Sequence, residues 1–146
     1  MKTLFENIDS ILVIEDTTTD FVMLEKAFRR ARFQGQLELV KSAAEGYSWF
    51  DGTVSEGKAL PDLVLLDLGL PGESGMDLLK NLKAMPVLKR TALIVYSASE
   101  SPTDMAKAGR LGADWYFVKK SSPQDLDYVM RTLSDLVAKG FVDDGE

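Results

Sequence analysis

The chain has 146 residues, a net charge of -6, and neither cysteine nor histidine. That composition excludes disulfides, thiolate nucleophiles, cysteine-rich metal sites and histidine acid–base chemistry, so any site must draw on carboxylates, hydroxyls and amines, with a hard cation as the metal such donors suit. The acidic balance argues against a nucleic-acid partner, no apolar run approaches the roughly 20 residues of a membrane span, and the acids in "MKTLFENIDS" argue against a signal peptide, so the expectation is a cytoplasmic protein without a membrane partner.

The unbroken aliphatic run "ILVI", residues 11–14, predicts a buried strand, and "DFVMLEKAFRRA" after it carries Phe21, Leu24 and Phe28 at helical spacing. Within "FRRARF", residues 28–33, the arginines fit the cation-rich last turn of that helix. Next come a short strand "LELV" (37–40), a helix "SAAEGYSWF" (42–50) and a polar loop "GTVSEGKALP" (52–61). The run "LVLL", residues 63–66, does not alternate polar with apolar and so reads as a central strand covered on both faces. A helix "SGMDLLKNLKAM", a strand "ALIVY", a helix "SPTDMAKAGRLGA" and a strand "WYFV" follow. The last helix, "SPQDLDYVMRTLSDLVAKG", puts Leu126, Val129, Met130, Leu133, Leu136 and Val137 on one face.

Four helix starts pair a hydroxyl with an acid three residues on: Thr17 with Asp20, Ser74 with Asp77, Ser101 with Asp104 and Ser122 with Asp125. Five strands alternating with five helices predict a parallel sheet covered on both faces, a three-layer α/β sandwich of flavodoxin-like (βα)5 type. One domain over residues 1–146 is expected, with its core in 10–138, a short N-terminal extension and the tail "FVDDGE".

The strands end in chemistry-bearing side chains: Glu15 and Asp16 after the first, Asp67 after the third, Ser97 after the fourth and Lys119 after the fifth. With strand order 2-1-3-4-5 these ends share one crevice at the carboxyl edge of the sheet. Clustered carboxylates stay ionised only beside a compensating cation, and an oxygen-only donor set suits Mg²⁺. Such a site favours phosphoryl chemistry, with an aspartate as nucleophile and an ammonium neutralising the transferring group. Taken singly, Asp16 could open a loop, Ser97 cap a turn and Lys119 be a solvated strand end.

The segments "ILVIEDTTTD", "PDLVLLDLGLPGESG", "ALIVYSAS" and "GADWYFVKK" together resemble the receiver domain of bacterial two-component response regulators. The resemblance implies that Asp67 is the phosphoacceptor, that Glu15, Asp16, Asp67 and the Gly69 carbonyl hold Mg²⁺, that Ser97 is the switch hydroxyl and Lys119 the phosphate-binding amine, and that Tyr116 is the aromatic that turns inward on activation. It further implies a sensor histidine kinase or phosphotransfer protein as phosphodonor, a downstream protein partner, and a signalling role in place of a true enzyme. Two departures stand out: Lys119 is followed by Lys120 instead of proline, and the segment "DGTVSEGKALPD" is long. Both are similar to stand-alone regulators that serve phytochrome-type kinases.

Two alternatives are a Mg²⁺-dependent small-molecule phosphohydrolase that uses the same acids and a receiver-like binding module that is not phosphorylated, which would be expected to lose an acid or the lysine. With no output domain expected, the signal would leave through the face of the fourth helix, fifth strand and fifth helix. There Asp127, Tyr128, Arg131 and Asp135 could support a weak homodimer.

Overall fold

The computed structural model describes residues 5–140. Its strands are β1 (Ser10–Ile14), β2 (Gln36–Val40), β3 (Leu63–Leu66), β4 (Ala92–Ser97) and β5 (Trp115–Val118). All pair in parallel in the order β2-β1-β3-β4-β5, as the sequence predicts. Five α-helices alternate with them: α1 (Thr18–Arg30), α2 (Ala43–Ser55), α3 (Gly75–Lys83), α4 (Pro102–Arg110) and α5 (Pro123–Lys139).

The unbroken aliphatic strands make sense once both faces of the sheet are covered. Ile11, Val13, Leu63, Leu65 and Ile94 pack under Leu24 and Phe28 of α1 and Val129, Met130 and Leu133 of α5. Their strand neighbours Leu12, Ile14, Val64, Leu66 and Val95 point the other way, to Phe50 of α2, Leu78, Leu79 and Leu82 of α3 and Ala108 of α4. Alternation of side chains along a strand thus fills two apolar layers from one run of residues. The core reaches further back than residue 10, because the ring of Phe5 lies 5.5 Å from that of Phe28 and 6.2 Å from that of Phe33.

Three of the four expected caps form: Ser74, Ser101 and Ser122 accept from the backbone N–H of Asp77, Asp104 and Asp125. Thr17 makes no side-chain cap, and Asp20 is turned elsewhere. A cap the sequence reading did not name closes α2, where Ser42 accepts from the N–H of Glu45 and the Glu45 carboxylate accepts from the N–H of Lys41. Helix α2 also runs to Ser55, past the predicted end at residue 50, because the polar stretch after Phe50 satisfies itself along the helix: Thr53 donates to the Trp49 carbonyl and Ser55 to that of Gly52. The predicted loop shortens accordingly. A 3-10 turn, Pro86–Leu88, was not anticipated.

The predicted basic last turn of α1 is built as expected, and its arginines are also tied to the fold. Arg29 donates to the carbonyls of Phe33 and Gly35 and lies 5.5 Å over the Phe33 ring, while Arg30 pairs with Asp127 of α5 at 2.8 Å. Asp127 is therefore engaged within the chain, which leaves Tyr128, Arg131 and Asp135 as the exposed remainder of the set read on α5.

Candidate functional site

Backbone bonds at the carboxyl edge of the sheet carry the strand ends into register. The N–H of Glu15 donates to Val40 at the end of β2, that of Asp67 to Ile14 at the end of β1, and that of Lys119 to Ser97 at the end of β4. Side chains far apart in sequence therefore emerge side by side. Close packing beneath Asp67 fixes its height: a Cβ on Gly75 would lie 2.2 Å from the Asp67 carbonyl oxygen and 2.5 Å from the Leu68 Cα, so only glycine lets α3 start so near the strand end.

The Lys119 ammonium is the hub. Its Nζ lies 2.7 Å from Asp20 Oδ2, 2.8 Å from Glu15 Oε1 and 3.0 Å from Asp67 Oδ2. Asp67 Oδ1 accepts from the Gly69 N–H at 3.0 Å, and Glu15 Oε2 accepts from the Thr17 N–H at 3.1 Å. Glu15 and Asp67 are buried whereas Asp16 is exposed, and ligand oxygens of all three lie within 4.8 Å of one another. This oxygen-only trio, open to solvent on the Asp16 side, fits a hard divalent cation.

Electrostatics follow from burial. Loss of water raises the Glu15 carboxyl from an ordinary 4.5 to about 7, and the nearby Asp67 charge adds to the rise, while bonds from Lys119 and Thr17 oppose it. Burial disfavours the Lys119 charge, yet its bonds to Asp20, Glu15 and Asp67 outweigh that cost and hold the ammonium above the ordinary lysine range. Lysine therefore stays charged in the site, and the excess of carboxylate is what a cation would relieve.

The response regulator receiver domain family matches residues 11–131. The chain belongs to that family. Among curated relatives, response regulator Rcp1 of Synechocystis is 28% identical over 118 residues, covering 80% of this chain and 80% of Rcp1. A solved response regulator in red-light signalling of R. palustris is 26% identical with a TM-score of 0.78, covering 88% of this chain and 93% of that one. The Mn²⁺-bound form of Rcp1 matches with a TM-score of 0.77 at 23% identity, over 88% of this chain and 94% of that one, and shows the shared fold.

In this receiver domain, Glu15, Asp16, Asp67, Gly69, Ser97 and Lys119 lie at the one sheet edge, whereas Tyr116 lies within β5, opposite Val95. Ser97 is buried at the end of β4, and its Oγ accepts from the Ser99 N–H at 3.4 Å. Tyr116 is half-buried against the α2–α4 layer, and its hydroxyl donates to the Ser99 carbonyl at 2.8 Å. Gly69 sits exposed above the Asp67 carboxylate, where a Cβ would lie 3.7 Å from Oδ1. Among the described residues no peptide is cis, so the bond between Lys119 and Lys120 is trans. The loop there is held in a different way from a proline turn: the Lys120 N–H donates to the Tyr96 hydroxyl and the Lys120 carbonyl accepts from it, each at 3.3 Å.

Two features escaped the sequence reading. The sequence pattern places Asp20 at a helix cap, whereas it bonds Lys119, a pairing across 99 residues that no local pattern reveals. In the loop after Asp67, Glu73 accepts from the Tyr47 hydroxyl of α2, and Asn81 of α3 donates to Tyr47 at 2.9 Å and to Glu73 at 3.4 Å, so the loop is fastened to two helices. No helix among the described residues is long and apolar enough to cross a membrane.

Proposed function

We propose that this receiver domain is a single-domain response regulator that accepts a phosphoryl group from the phosphohistidine of a sensor kinase or phosphotransfer protein onto Asp67. The observation that carries this reading is the convergence of Asp67 with Lys119 and with the acidic trio Glu15, Asp16 and Asp67. An Asp67 carboxylate oxygen attacks phosphorus, a P–O bond forms as the P–N bond to the donor imidazole breaks, and the imidazole nitrogen takes up a proton. Lys119 neutralises charge on the phosphoryl oxygens, and Ser97 donates its hydroxyl to one of them after transfer. Glu15, Asp16 and Asp67, with the Gly69 carbonyl, would hold Mg²⁺, which supplies charge neutralisation at the phosphoryl group. The Mn²⁺-bound form of Rcp1 supports a divalent cation in this fold.

The domain acts in the cytoplasm and passes its signal to a downstream protein. The likeness to the R. palustris regulator of red-light signalling supports a red-light-sensing partner kinase, in keeping with the phytochrome type that the sequence departures imply. A small-molecule phosphohydrolase is less well supported, because the position two residues beyond Asp67, where such enzymes often place a second acid, is Gly69. Incubation with Mg²⁺ and acetyl phosphate tests the assignment by mass spectrometry. One labile phosphoryl group is expected on the native protein and none on Asp67→Asn, and a labelled Asp67→Asn protein would refute it.

A further inference from the structure

The Lys119 ammonium donates to Asp20 at 2.7 Å and to Asp67 at 3.0 Å and forms an ion pair with Glu15 at 2.8 Å. Two of those carboxylates have a second duty. Glu15 and Asp67 belong with Asp16 to the trio whose oxygens gather within 4.8 Å, and Asp20 does not. It approaches Lys119 from the first turn of α1, outside that trio, and makes the shortest of the three contacts. Nor does it serve the helix start in the way its position suggests, since Thr17 forms no side-chain cap.

We propose that Asp20 is a positioning residue that anchors the Lys119 ammonium during phosphoryl transfer. The inference rests on the reading of Asp67 as phosphoacceptor and Lys119 as the amine that meets the phosphoryl group. When Asp67 becomes an acyl phosphate, the donor it now receives from Lys119 is released to a phosphoryl oxygen, and the bond to Asp20 keeps Nζ from following. Without Asp20, Lys119 has only Glu15 and Asp67 to hold it, and the ammonium settles on the nucleophile. A carboxylate so paired is a poorer nucleophile, and the amine loses the orientation that leaves its other donors facing the site. Asp20 therefore acts on the reaction through Lys119 and touches neither phosphorus nor the attacking oxygen.

The test is a kinetic cycle with acetyl phosphate and Mg²⁺. Asp20→Ala is expected to slow phosphorylation about tenfold, the size usual for outer partners that orient a functional group. Asp20→Asn, which keeps an acceptor oxygen in place, should lose less, and equal losses in the two variants would overturn positioning in favour of bare charge. In a Lys119→Met background Asp20→Ala should change nothing more, because a residue acting through another has no effect once that other is gone. Additive losses overturn the proposal. If Lys119→Met slows the reaction and Asp20→Ala does not, this inference alone fails, whereas a fully active Lys119→Met sinks the site reading and the inference with it. A second readout needs no turnover: in metal-free protein the nitrogen-15 signal of the Lys119 ammonium should be sharp in the native chain and broadened by exchange in Asp20→Ala. An unchanged signal contradicts the anchor.

Discussion

The Tyr116 hydroxyl donates to the Ser99 carbonyl at 2.8 Å, and the N–H of the same residue, Ser99, donates to the Ser97 hydroxyl oxygen at 3.4 Å. One residue of the β4–α4 loop thus bonds both side chains that would relay a phosphorylation signal. Ser99 is also fixed to the helix it precedes, since its own hydroxyl donates to Asp104 at 2.6 Å. Movement of Ser97 toward a phosphoryl oxygen would therefore pull on a loop to which the Tyr116 hydroxyl and the start of α4 are bonded, a local change with a surface readout.

Trp115, next to Tyr116 in sequence and 45% exposed, should report that movement. In a Trp49→Phe background, which leaves Trp115 as the sole indole, beryllium fluoride with Mg²⁺ should change the fluorescence. Ser97→Ala should blunt the change while still binding the mimic. A response of equal size in both proteins would cut Ser97 out of the relay.

Asp16 and Ser97 should separate in metal affinity. Asp16 is exposed at the mouth of the trio and would contribute a charged oxygen to the cation, whereas Ser97 offers only a later hydrogen bond to phosphate. Asp16→Ala is expected to weaken Mg²⁺ binding by on the order of tenfold or more and Ser97→Ala to leave it nearly unchanged, as measured by calorimetry. Equal affinities would contradict the division of roles.

Much of this architecture is legible in the residues, for identifiable reasons. A strand buried on both faces must be continuously apolar, so "ILVI" and "LVLL" announce themselves, and in a parallel sheet their carboxyl ends fall at one edge, which brings Glu15, Asp67, Ser97 and Lys119 together. What stays hidden is the choice among local and distant partners. Asp20 has the spacing of a capping acid, yet an ammonium arriving from β5 offers it a charge-assisted bond stronger than a cap. The end of α2 is hidden for the opposite reason, since its polar tail looks like a loop until Thr53 and Ser55 are seen bonding back along the helix.

Gly75 should resist even the smallest substitution. The three atoms a Cβ would meet, at 2.2, 2.5 and 3.0 Å, belong to the backbone of Asp67 and Leu68 and cannot swing aside. Gly75→Ala is expected to cost about 1–3 kcal/mol, the usual range for overpacking, seen as a lower denaturant midpoint. Because the displaced atoms carry Asp67, phosphorylation from acetyl phosphate should slow as well. Native stability together with native kinetics would show that α3 can shift away freely.

Stability of the metal-free protein should fall as pH rises through the Glu15 window. Burial holds this carboxyl at about 7 in the folded chain against 4.5 when unfolded, so between those values the native state binds more protons than the unfolded one. The slope of stability with pH is then negative: the contribution is fully present below 4.5 and gone above about 7. Glu15→Gln removes the titrating group and keeps the shape. Denaturant curves of the two proteins should diverge with rising pH, the native chain losing ground to the variant, and a gap that stays constant would refute the assignment. Since a cation binds the ionised carboxylate, Mg²⁺ affinity of the native chain should climb through the same window and then level off.

A phosphorylated receiver would pass its signal through a surface. Met105 of α4, Trp115 of β5 and Tyr128 of α5 are 36%, 45% and 69% exposed, one large apolar side chain on each of three consecutive elements. Arg131 and Asp135 lie exposed four residues apart beside Tyr128 on α5, so a twofold axis through this face would set each arginine against the aspartate of the other copy. Asp127 takes no part, because Arg30 of α1 already holds it at 2.8 Å. Tyr116 connects the face to the site through Ser99, so the phosphoryl group should bias its packing. Weak self-association that beryllium fluoride tightens is expected in sedimentation velocity, and Arg131→Glu should abolish the tightening while leaving phosphorylation of Asp67 intact. A monomer under every condition would direct the signal wholly to a different protein partner, and tightening that survives Arg131→Glu would move the contact to another face.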